Sequence, residues 1–271
     1  MRFKIAVCSA AGRKRRENQD SLLVKTARTE QGTVLLAAVC DGMGGLSLGE
    51  LASSLLVQRL CSWFEEELPS LLAREKARFG LRGPLGNFRK REERLRDSLE
   101  QLLGQVNREF CSYGKREGTE LGTTATVLLA VGNRYLIAQV GDSRGYRIRL
   151  GICQITRDQT LVQRELEEGR ITREEAVRDP RRSILLQCVG AEGGVCPDFY
   201  GGRLESGSLF LLCSDGFRHV VSQEELGERL SPGKLREEAD MERTLWELTG
   251  LIRQRQEQDD ISAVLIRVDR S

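Results

Sequence analysis

Residues 123–140 read TTATVLLAVGNRYLIAQV, two apolar runs joined by the turn Val131-Gly132-Asn133-Arg134. A glycine beside asparagine between two such runs is typical of a β-hairpin, so the pattern predicts two antiparallel neighbouring strands. Further strands are predicted at 3–9, 21–26, 33–40, 144–150, 152–156, 184–188, 199–204, 208–213 and 261–268. Strands linked by hairpins predict largely antiparallel sheets.

Amphipathic segments separate these groups of strands. Leucines at helical spacing predict a helix that starts at a capping box, Ser47 to Glu50, and runs through about residue 75. The other predicted helices are 92–113, 223–230, 236–254 and a small charged excursion within 160–180, which holds a second capping box at 172–175. Because strands and helices do not alternate regularly, a parallel doubly wound sheet is excluded and a layered α+β domain is predicted.

Histidine is almost absent from this chain. Among 271 residues there are 40 Asp plus Glu and 42 Lys plus Arg, but the one histidine is His219. A zinc site with several imidazole ligands and any mechanism that needs two histidines are therefore excluded, and carboxylates should carry any chemistry. We interpret His219 as a surface or packing residue, and we expect His219→Ala to leave turnover nearly unchanged.

The net charge, the apolar stretches and the cysteine count indicate which partners and which cellular compartment to expect. A net charge of +2 gives no reason to expect nucleic acid or a membrane surface. No apolar stretch reaches the ~20 residues of a membrane span. Eight cysteines without a Cys-x-x-Cys pair favour a reducing cytoplasm over a disulfide scaffold.

Aspartates stand at the ends of predicted strands in five places. They are Asp20, Asp41, Asp142, Asp215 and the pair Asp259-Asp260. One such aspartate is more often a turn residue, but five favour a site for Mg²⁺ or Mn²⁺, which prefer oxygen ligands. Two such ions can share a water molecule and activate it as hydroxide towards phosphorus. The glycine at 42 lets a backbone carbonyl approach a metal closely.

Arg15 is the candidate for holding a phosphate, because a guanidinium binds phosphate oxygens in pairs. It lies five residues before Asp20, within the basic run at 13–16. The alternative is that Arg15 is one more member of a solvated basic run.

Six short motifs follow one another along the chain. They are Arg15 through Asp20-Ser21, Asp41-Gly42-Met43-Gly44-Gly45, Gly122-Thr123-Thr124-Ala125, Gly141-Asp142-Ser143-Arg144, Ser214-Asp215-Gly216 and Asp259 through Ser262. In this order and spacing the chain resembles the metal-dependent Ser/Thr protein phosphatases of type 2C, the PPM family, in a compact bacterial form. The resemblance implies one domain over residues 1–271, a four-layer αββα sandwich of two mainly antiparallel sheets flanked by helix pairs.

The resemblance also implies the ligands of two Mn²⁺ or Mg²⁺ ions. Asp20 and Asp41 would bridge or flank the two ions and position the hydroxide between them. The Gly42 carbonyl would be a further ligand, and Asp215 and Asp259 would hold the first ion from the other side.

Three further roles follow from the resemblance. Asp142 would bind a third, weaker ion, and Arg15 would hold the substrate phosphate. The segment at about 157–186 resembles the family's flap, a subdomain beside the active site that bears on substrate choice.

The chain departs from the family pattern at several positions. Met43 stands where some eukaryotic members have a histidine proposed as general acid, so a metal-bound water is expected to protonate the leaving alkoxide. Asp260 replaces a common asparagine, and Asp259 is kept as the ligand because it aligns with the family's aspartate. In the flap, the usual Asp-His pair reads Asp158-Gln159.

Together these observations predict hydrolysis of phosphoserine or phosphothreonine on proteins by a metal-bridged hydroxide, without a phosphoenzyme. The expected partners are phosphoproteins that a Ser/Thr kinase modifies, and the chain is expected to act as a monomer. Two alternatives stay open: a non-catalytic pseudophosphatase that senses a partner, and a hydrolase of a small phosphorylated metabolite. The full set of expected ligands argues against the first, and the flap argues weakly against the second.

Overall fold

The computed structural model describes residues 1–13, 17–29, 32–43, 48–73 and 84–270, and for 84–88 it describes the backbone alone. Eleven strands lie within these ranges. They are β1 (Arg2–Ala10), β2 (Asp20–Thr29), β3 (Gly32–Met43), β4 (Gly122–Thr123), β5 (Ala125–Val131), β6 (Arg134–Val140), β7 (Arg144–Ile148), β8 (Ile152–Gln154), β9 (Asp198–Arg203), β10 (Leu209–Cys213) and β11 (Ile261–Asp269).

The strands form two antiparallel sheets. The first sheet has the order β1-β11-β10-β7-β8, and the second has the order β2-β3-β5-β6-β9, with β4 paired to β3. The hairpin expected from the opening stretch is confirmed, because β5 and β6 pair from Ala125 opposite Val140 to Val131 opposite Arg134. Gly132 adopts φ +63° in its turn, a conformation that glycine reaches without strain.

The described ranges contain eight α-helices, most of which cover the outer face of a sheet. They are α1 (Leu48–Ser62), α2 (Leu68–Ala73), α3 (Pro84–Glu117), α4 (Leu161–Glu167), α5 (Arg173–Arg178), α6 (Asp215–Arg218), α7 (Gln223–Arg229) and α8 (Glu238–Gln254), with a π-helical segment, Trp63–Glu67, between α1 and α2. The helices α4 and α5 belong to the segment predicted as the flap. None of the helices in the described ranges combines the length and the apolar character needed to span a bilayer.

Three hydrophobic clusters give the molecule four layers. The central cluster joins the facing sides of the two sheets, with Leu35 and Ile137 from the second sheet against Phe210 and Val264 from the first. A second cluster packs α1, α2 and α3 on the outer face of the second sheet. A third packs α6, α7 and α8 on the first sheet. The expected α+β sandwich of two antiparallel sheets between helices is therefore confirmed.

One predicted strand does not form. The segment 184–188 joins neither sheet and makes only an isolated bridge, between Leu185 and Thr160. Ile184 and Leu186 are exposed, so the apolar run has no partner strand and no sheet face to cover. The capping box at Ser47 lies outside the described residues, whereas the capping box of Thr172 and Glu175 forms at the start of α5.

Candidate functional site

Two of the predicted site aspartates meet at the end of the second sheet. Asp20, the first residue of β2, is directly opposite Asp41 near the end of β3. Opposed residues of an antiparallel pair place their side chains on one face, with Cβ atoms about 5 Å apart. The backbone of Asp41 donates to Thr124 Oγ1 (3.0 Å) and accepts from the Thr124 N–H (2.9 Å). Strand pairing therefore positions both carboxylates.

Asp215 and Asp259 come from the first sheet. Asp215 begins α6 directly after β10, and Asp259 precedes β11, the strand paired with β10. The two turns touch, since a Cβ atom at Gly216 would lie 2.2 Å from the Asp260 carbonyl oxygen and 3.2 Å from Asp259 Cβ. Glycine is the residue that allows this approach. We call Asp20, Asp41, Asp215 and Asp259 the open cluster.

The carboxylates of the open cluster act on one another. Burial raises the pKa of Asp41 well above its ordinary value, and Asp20, Asp215, Asp142 and Asp259 raise it further. Burial also raises the pKa of Asp20 to about 7. Because all five predicted metal-binding aspartates appear in these interactions, the fold brings together residues that lie up to 239 positions apart, from 20 to 259.

The donor chemistry of the open cluster suits a hard cation. Both carboxylate oxygens of Asp20 and Oδ1 of Asp215 are buried and have no hydrogen-bond donor in bonding geometry within the described ranges, although the hydroxyls of Ser262 and Ser214 lie near enough to Asp20 to lower its pKa. Leaving a buried carboxylate without a partner is costly, and divalent cations with a preference for oxygen can relieve that cost. Among the described residues, no three acidic, imidazole or thiol side chains already have the spacing of a metal site, so it is these buried oxygens that favour a cation.

The backbone at Gly42 is tightly packed beside this cluster. Its N–H donates to the Gln19 carbonyl (3.0 Å), and a Cβ atom on residue 42 would lie 2.0 Å from the carbonyl oxygen of Gly49 in α1. Any larger residue would displace the backbone. Gly42 as a carbonyl ligand stays a prediction.

Arg15 lies outside the described residues, but Gly12 and Gln19, which flank it in the sequence, are both anchored to one side chain. The buried carboxylate of Asp260 accepts hydrogen bonds from the N–H groups of Gly12 (2.7 Å) and Gln19 (2.9 Å). Asp260 thus has an anchoring role that the sequence did not predict, and it leaves its neighbour Asp259 as the ligand candidate.

A second acidic group lies beside the first and contains arginines. Arg144 on β7 binds Asp158 through Nε (2.8 Å) and Nη2 (2.6 Å). The Nη2 atom of Arg218 donates to the Asp142 carbonyl (3.0 Å) and lies 3.5 Å from Asp142 Oδ2 and 3.4 Å from Asp158 Oδ2. We call Asp142, Asp158, Arg144 and Arg218 the paired cluster.

The arginines set the ionisation of this paired cluster. Burial raises the pKa of Asp158, but Arg218 and Arg144 outweigh burial and hold this pKa below its ordinary value. Burial and then Asp215 raise the pKa of Asp142 to about 7, while Arg218 opposes the rise. Asp142 is therefore the member of the paired cluster that also interacts with the open cluster, through Asp215.

Comparison with known proteins agrees with this architecture. The family model for protein phosphatase 2C matches residues 10–265. The chain belongs to the protein phosphatase 2C family. A serine/threonine phosphatase, stp, of Listeria innocua is 32% identical over 234 residues, which are 85% of this chain and 84% of the relative. PstP of Mycobacterium tuberculosis is 34% identical over 239 residues, or 88% of this chain and 40% of PstP.

Solved phosphatase structures superpose over nearly the whole chain. The S. agalactiae serine/threonine phosphatase matches with a TM-score of 0.81 at 27% identity, covering 99% of this chain and 100% of that one. A PstP catalytic domain in complex with two manganese ions matches with a TM-score of 0.71 at 29% identity, covering 99% of each chain. The 2C-type fold thus extends over the entire sandwich.

The position of His219 in this 2C-type phosphatase shows contacts that our interpretation of it as a surface or packing residue did not include. Its Nε2 atom lies 3.2 Å from Oδ2 of Asp215, and its Nδ1 atom lies 3.6 Å from Oε2 of Glu257. The other carboxylate oxygen of Glu257 accepts from the N–H groups of Gln258 (2.7 Å) and Asp259 (3.0 Å). His219 therefore connects the two turns that carry Asp215 and Asp259.

A groove of about 850 Å³ runs beside the paired cluster of the phosphatase. Residues of α4 and α5, in the segment predicted as the flap, line this groove together with Arg218 and His219. Five arginines line the groove. Arg144 and Arg218 are paired with Asp158 and Asp142, and Arg157 is paired with Glu167, so the excess positive charge comes from Arg173 and Arg182. This excess favours an anionic ligand.

Proposed function

We propose that the open cluster is the active site at which this protein, a divalent-metal-dependent protein serine/threonine phosphatase, hydrolyses phosphoserine and phosphothreonine. The family match and the phosphatase relatives support the reaction and its metal dependence. One observation carries the assignment to these residues: three buried carboxylate oxygens of Asp20 and Asp215 have no hydrogen-bond donor in bonding geometry within the described part of the chain.

The proposed ligands of two cations are the four open-cluster aspartates and the Gly42 carbonyl. When bound, the two cations would supply a Lewis acid that activates water and stabilises charge on the phosphoryl oxygens. The chain itself contributes rigidity, because Asp20 and Asp41 lie on paired strands. Asp215 and Asp259 lie on turns that touch through Gly216.

Binding of the substrate phosphate is proposed for Arg15. Asp260 holds Gly12 and Gln19, which flank Arg15 in the sequence, next to the turn that carries Asp259. A guanidinium could bind two phosphoryl oxygens at once and orient the phosphate for in-line attack.

Four further properties are proposed: the identity of the ions, the source of the substrates, the oligomeric state and the location. We propose Mn²⁺ or Mg²⁺ as the ions, in keeping with the two manganese ions of the similar PstP catalytic domain. We propose substrates that a Ser/Thr kinase modifies, a monomeric state and a cytoplasmic location. All eight cysteines are free thiols, which suits a reducing compartment.

The assignment is tested by phosphate release from a phosphothreonine peptide with Mn²⁺, measured for Asp20→Asn and Asp41→Asn. Loss of a ligand should lower kcat/KM by about 10³-fold, because metal Lewis acids contribute several kcal/mol and each 1.36 kcal/mol is tenfold. Asp97→Asn, an exposed aspartate on α3, is the matched control and should stay near wild type. Variants as active as wild type, or activity that survives chelation, would remove the open cluster from the mechanism.

A further inference from the structure

Arg218 is placed where one guanidinium nitrogen meets two carboxylates. Its Nη2 atom lies 3.5 Å from Asp142 Oδ2 and 3.4 Å from Asp158 Oδ2, and it donates to the Asp142 carbonyl at 3.0 Å. The Arg218 side chain is 12% exposed, against 6% for Asp142 and 8% for Asp158. The contact is therefore largely shielded from water. Attraction between opposite charges is stronger in such a shielded site than in water.

The charges of the paired cluster balance without any added ion. Asp158 accepts two hydrogen bonds from Arg144, at 2.8 and 2.6 Å. Two carboxylates thus face two guanidinium groups, and guanidinium groups stay protonated at any physiological pH. Asp142 has in Arg218 a permanent cationic partner that belongs to the chain.

A third divalent ion at Asp142 would not fit this arrangement. An ion bound to Asp142 Oδ2 at about 2.1 Å would lie within about 6 Å of Arg218 Nη2. It would add two positive charges to a buried group that is already neutral, and like charges at that distance repel strongly in a shielded site.

The position of Arg218 on α6 ties this arrangement to the active site. Arg218 follows Asp215 by three residues, so the two side chains lie on the same side of the helical turn. Asp215 is a proposed ligand of the first two ions. One short helix therefore carries a ligand of the open cluster and the cation of the paired cluster.

We propose that Arg218 takes the place of a third metal ion, so that this phosphatase binds two divalent cations and holds Asp142 with its own guanidinium. The inference rests on the proposed two-metal active site. In place of the expected third ion at Asp142, the chain supplies the positive charge of the Arg218 guanidinium. Arg218 is then a positioning residue, and its effect does not depend on metal concentration.

The test is the number of Mn²⁺ ions bound by the full chain at pH 8, measured by calorimetry. Wild type should bind two, and Asp142→Asn should still bind two. Arg218→Met keeps the length of the side chain but removes the charge, and it should bind a third Mn²⁺. The double variant Arg218→Met/Asp142→Asn should return to two, and Arg218→Lys, which keeps a positive charge, should stay at two.

The possible failures can be told apart. Three ions in wild type with a loss of one in Asp142→Asn would overturn the proposal, as would two ions in an Arg218→Met variant that folds normally by circular dichroism. If Arg218→Met does not fold, wild type and Asp142→Asn decide alone: two ions in both support the proposal, and three in wild type overturn it. Fewer than two ions in wild type would instead refute the proposed two-metal active site.

Discussion

The open cluster and the paired cluster lie side by side, and they differ in how their buried carboxylates are neutralised. In the open cluster, both oxygens of Asp20 and one of Asp215 are buried without a hydrogen-bond donor in bonding geometry within the described ranges. In the paired cluster, Asp158 is bound by Arg144 and contacted by Arg218. A buried carboxylate must be neutralised, and these two groups differ in whether the chain or a bound cation is suited to do so.

Two arginines cause the difference. Arg144 lies on β7 and Arg218 on α6, and both guanidinium groups point to the Asp158 side of the site. Against the effect of burial, the two guanidinium groups hold the pKa of Asp158 below its ordinary value, whereas burial raises the pKa of Asp20 to about 7. Of the two arginines, Arg218 alone contacts Asp142, and burial still raises the pKa of Asp142 to about 7. Burial alone therefore does not identify a metal ligand, and the presence or absence of a paired guanidinium is the more informative property.

The largest expected effect comes from breaking the paired cluster. Asp158→Ala leaves two largely buried guanidinium groups without their shared carboxylate, and removal of one partner from a buried ion pair costs about 3–5 kcal/mol. The measurement is urea unfolding of the metal-free protein. Asp240→Ala, which breaks a pair with Arg243 whose side chains are 38% and 66% exposed, is the control and should cost less than about 1 kcal/mol. Equal losses in the two variants would show that the paired cluster has no special stabilising role.

The second expected effect concerns pH and contrasts the two clusters. Asp20 must lose its proton to bind a metal, and its pKa is about 7. Apparent Mn²⁺ affinity should therefore weaken about tenfold per pH unit below 7, or about a hundredfold from pH 7 to pH 5. Calorimetric titrations at these pH values measure it. An affinity that is independent of pH would contradict the raised pKa.

The stability of the metal-free protein should change with pH in a matching way. A carboxyl whose folded pKa is raised stabilises the fold while protonated, so stability from Asp20 should fall as the pH rises from about 4 to about 7. The contribution of Asp158 to stability changes with pH in the opposite direction. Because the pKa of Asp158 is lowered in the folded protein, this contribution is present above about pH 4 and is lost as the pH falls through the pKa of the folded state. Between pH 5 and pH 8 the contribution of Asp158 should be constant.

Much of the fold could be predicted because its signals are local. The hairpin of β5 and β6 follows from two apolar runs and a Gly-Asn turn within 18 residues. The strand at 184–188 was predicted wrongly, since periodicity reports a residue's preference but not whether a partner strand is available. Its residues instead bond to the start of the predicted flap, where Leu186 N–H donates to the Gln159 carbonyl.

The sequence indicated which aspartates are candidates, but not how each is neutralised. Motifs at strand ends identify Asp20 or Asp215 because strand, turn and carboxylate are adjacent in the chain. The partners of the paired cluster are remote, with Arg218 76 residues from Asp142 and 60 from Asp158. No local pattern reports such a contact. The position of Arg218 three residues after Asp215, on the same helical turn, was the one available signal.

The smallest expected effect concerns His219, which contacts the open cluster from outside. It lies 3.2 Å from Asp215 and 3.6 Å from Glu257, whose carboxylate also holds the backbone of Asp259. Loss of such a supporting contact lowers metal affinity by about tenfold to a hundredfold, so we expect the low end, about tenfold, for His219→Ala. The expectation of unchanged turnover is thereby revised to a loss at low Mn²⁺ that recovers as Mn²⁺ is raised.

Mn²⁺ titrations of His219→Ala and His219→Gln distinguish positioning from packing. The glutamine amide can still donate a hydrogen bond to Asp215, so His219→Gln should recover part of the affinity, whereas a packing role predicts no difference in affinity between the two variants. Glu257→Gln should also weaken binding, because it removes the negative charge behind the imidazole and leaves the hydrogen bond to the Asp259 backbone possible. An unchanged Mn²⁺ affinity in all three variants would mean that the strand ends alone hold the open cluster, and that its only supports are the ones encoded locally in the sequence.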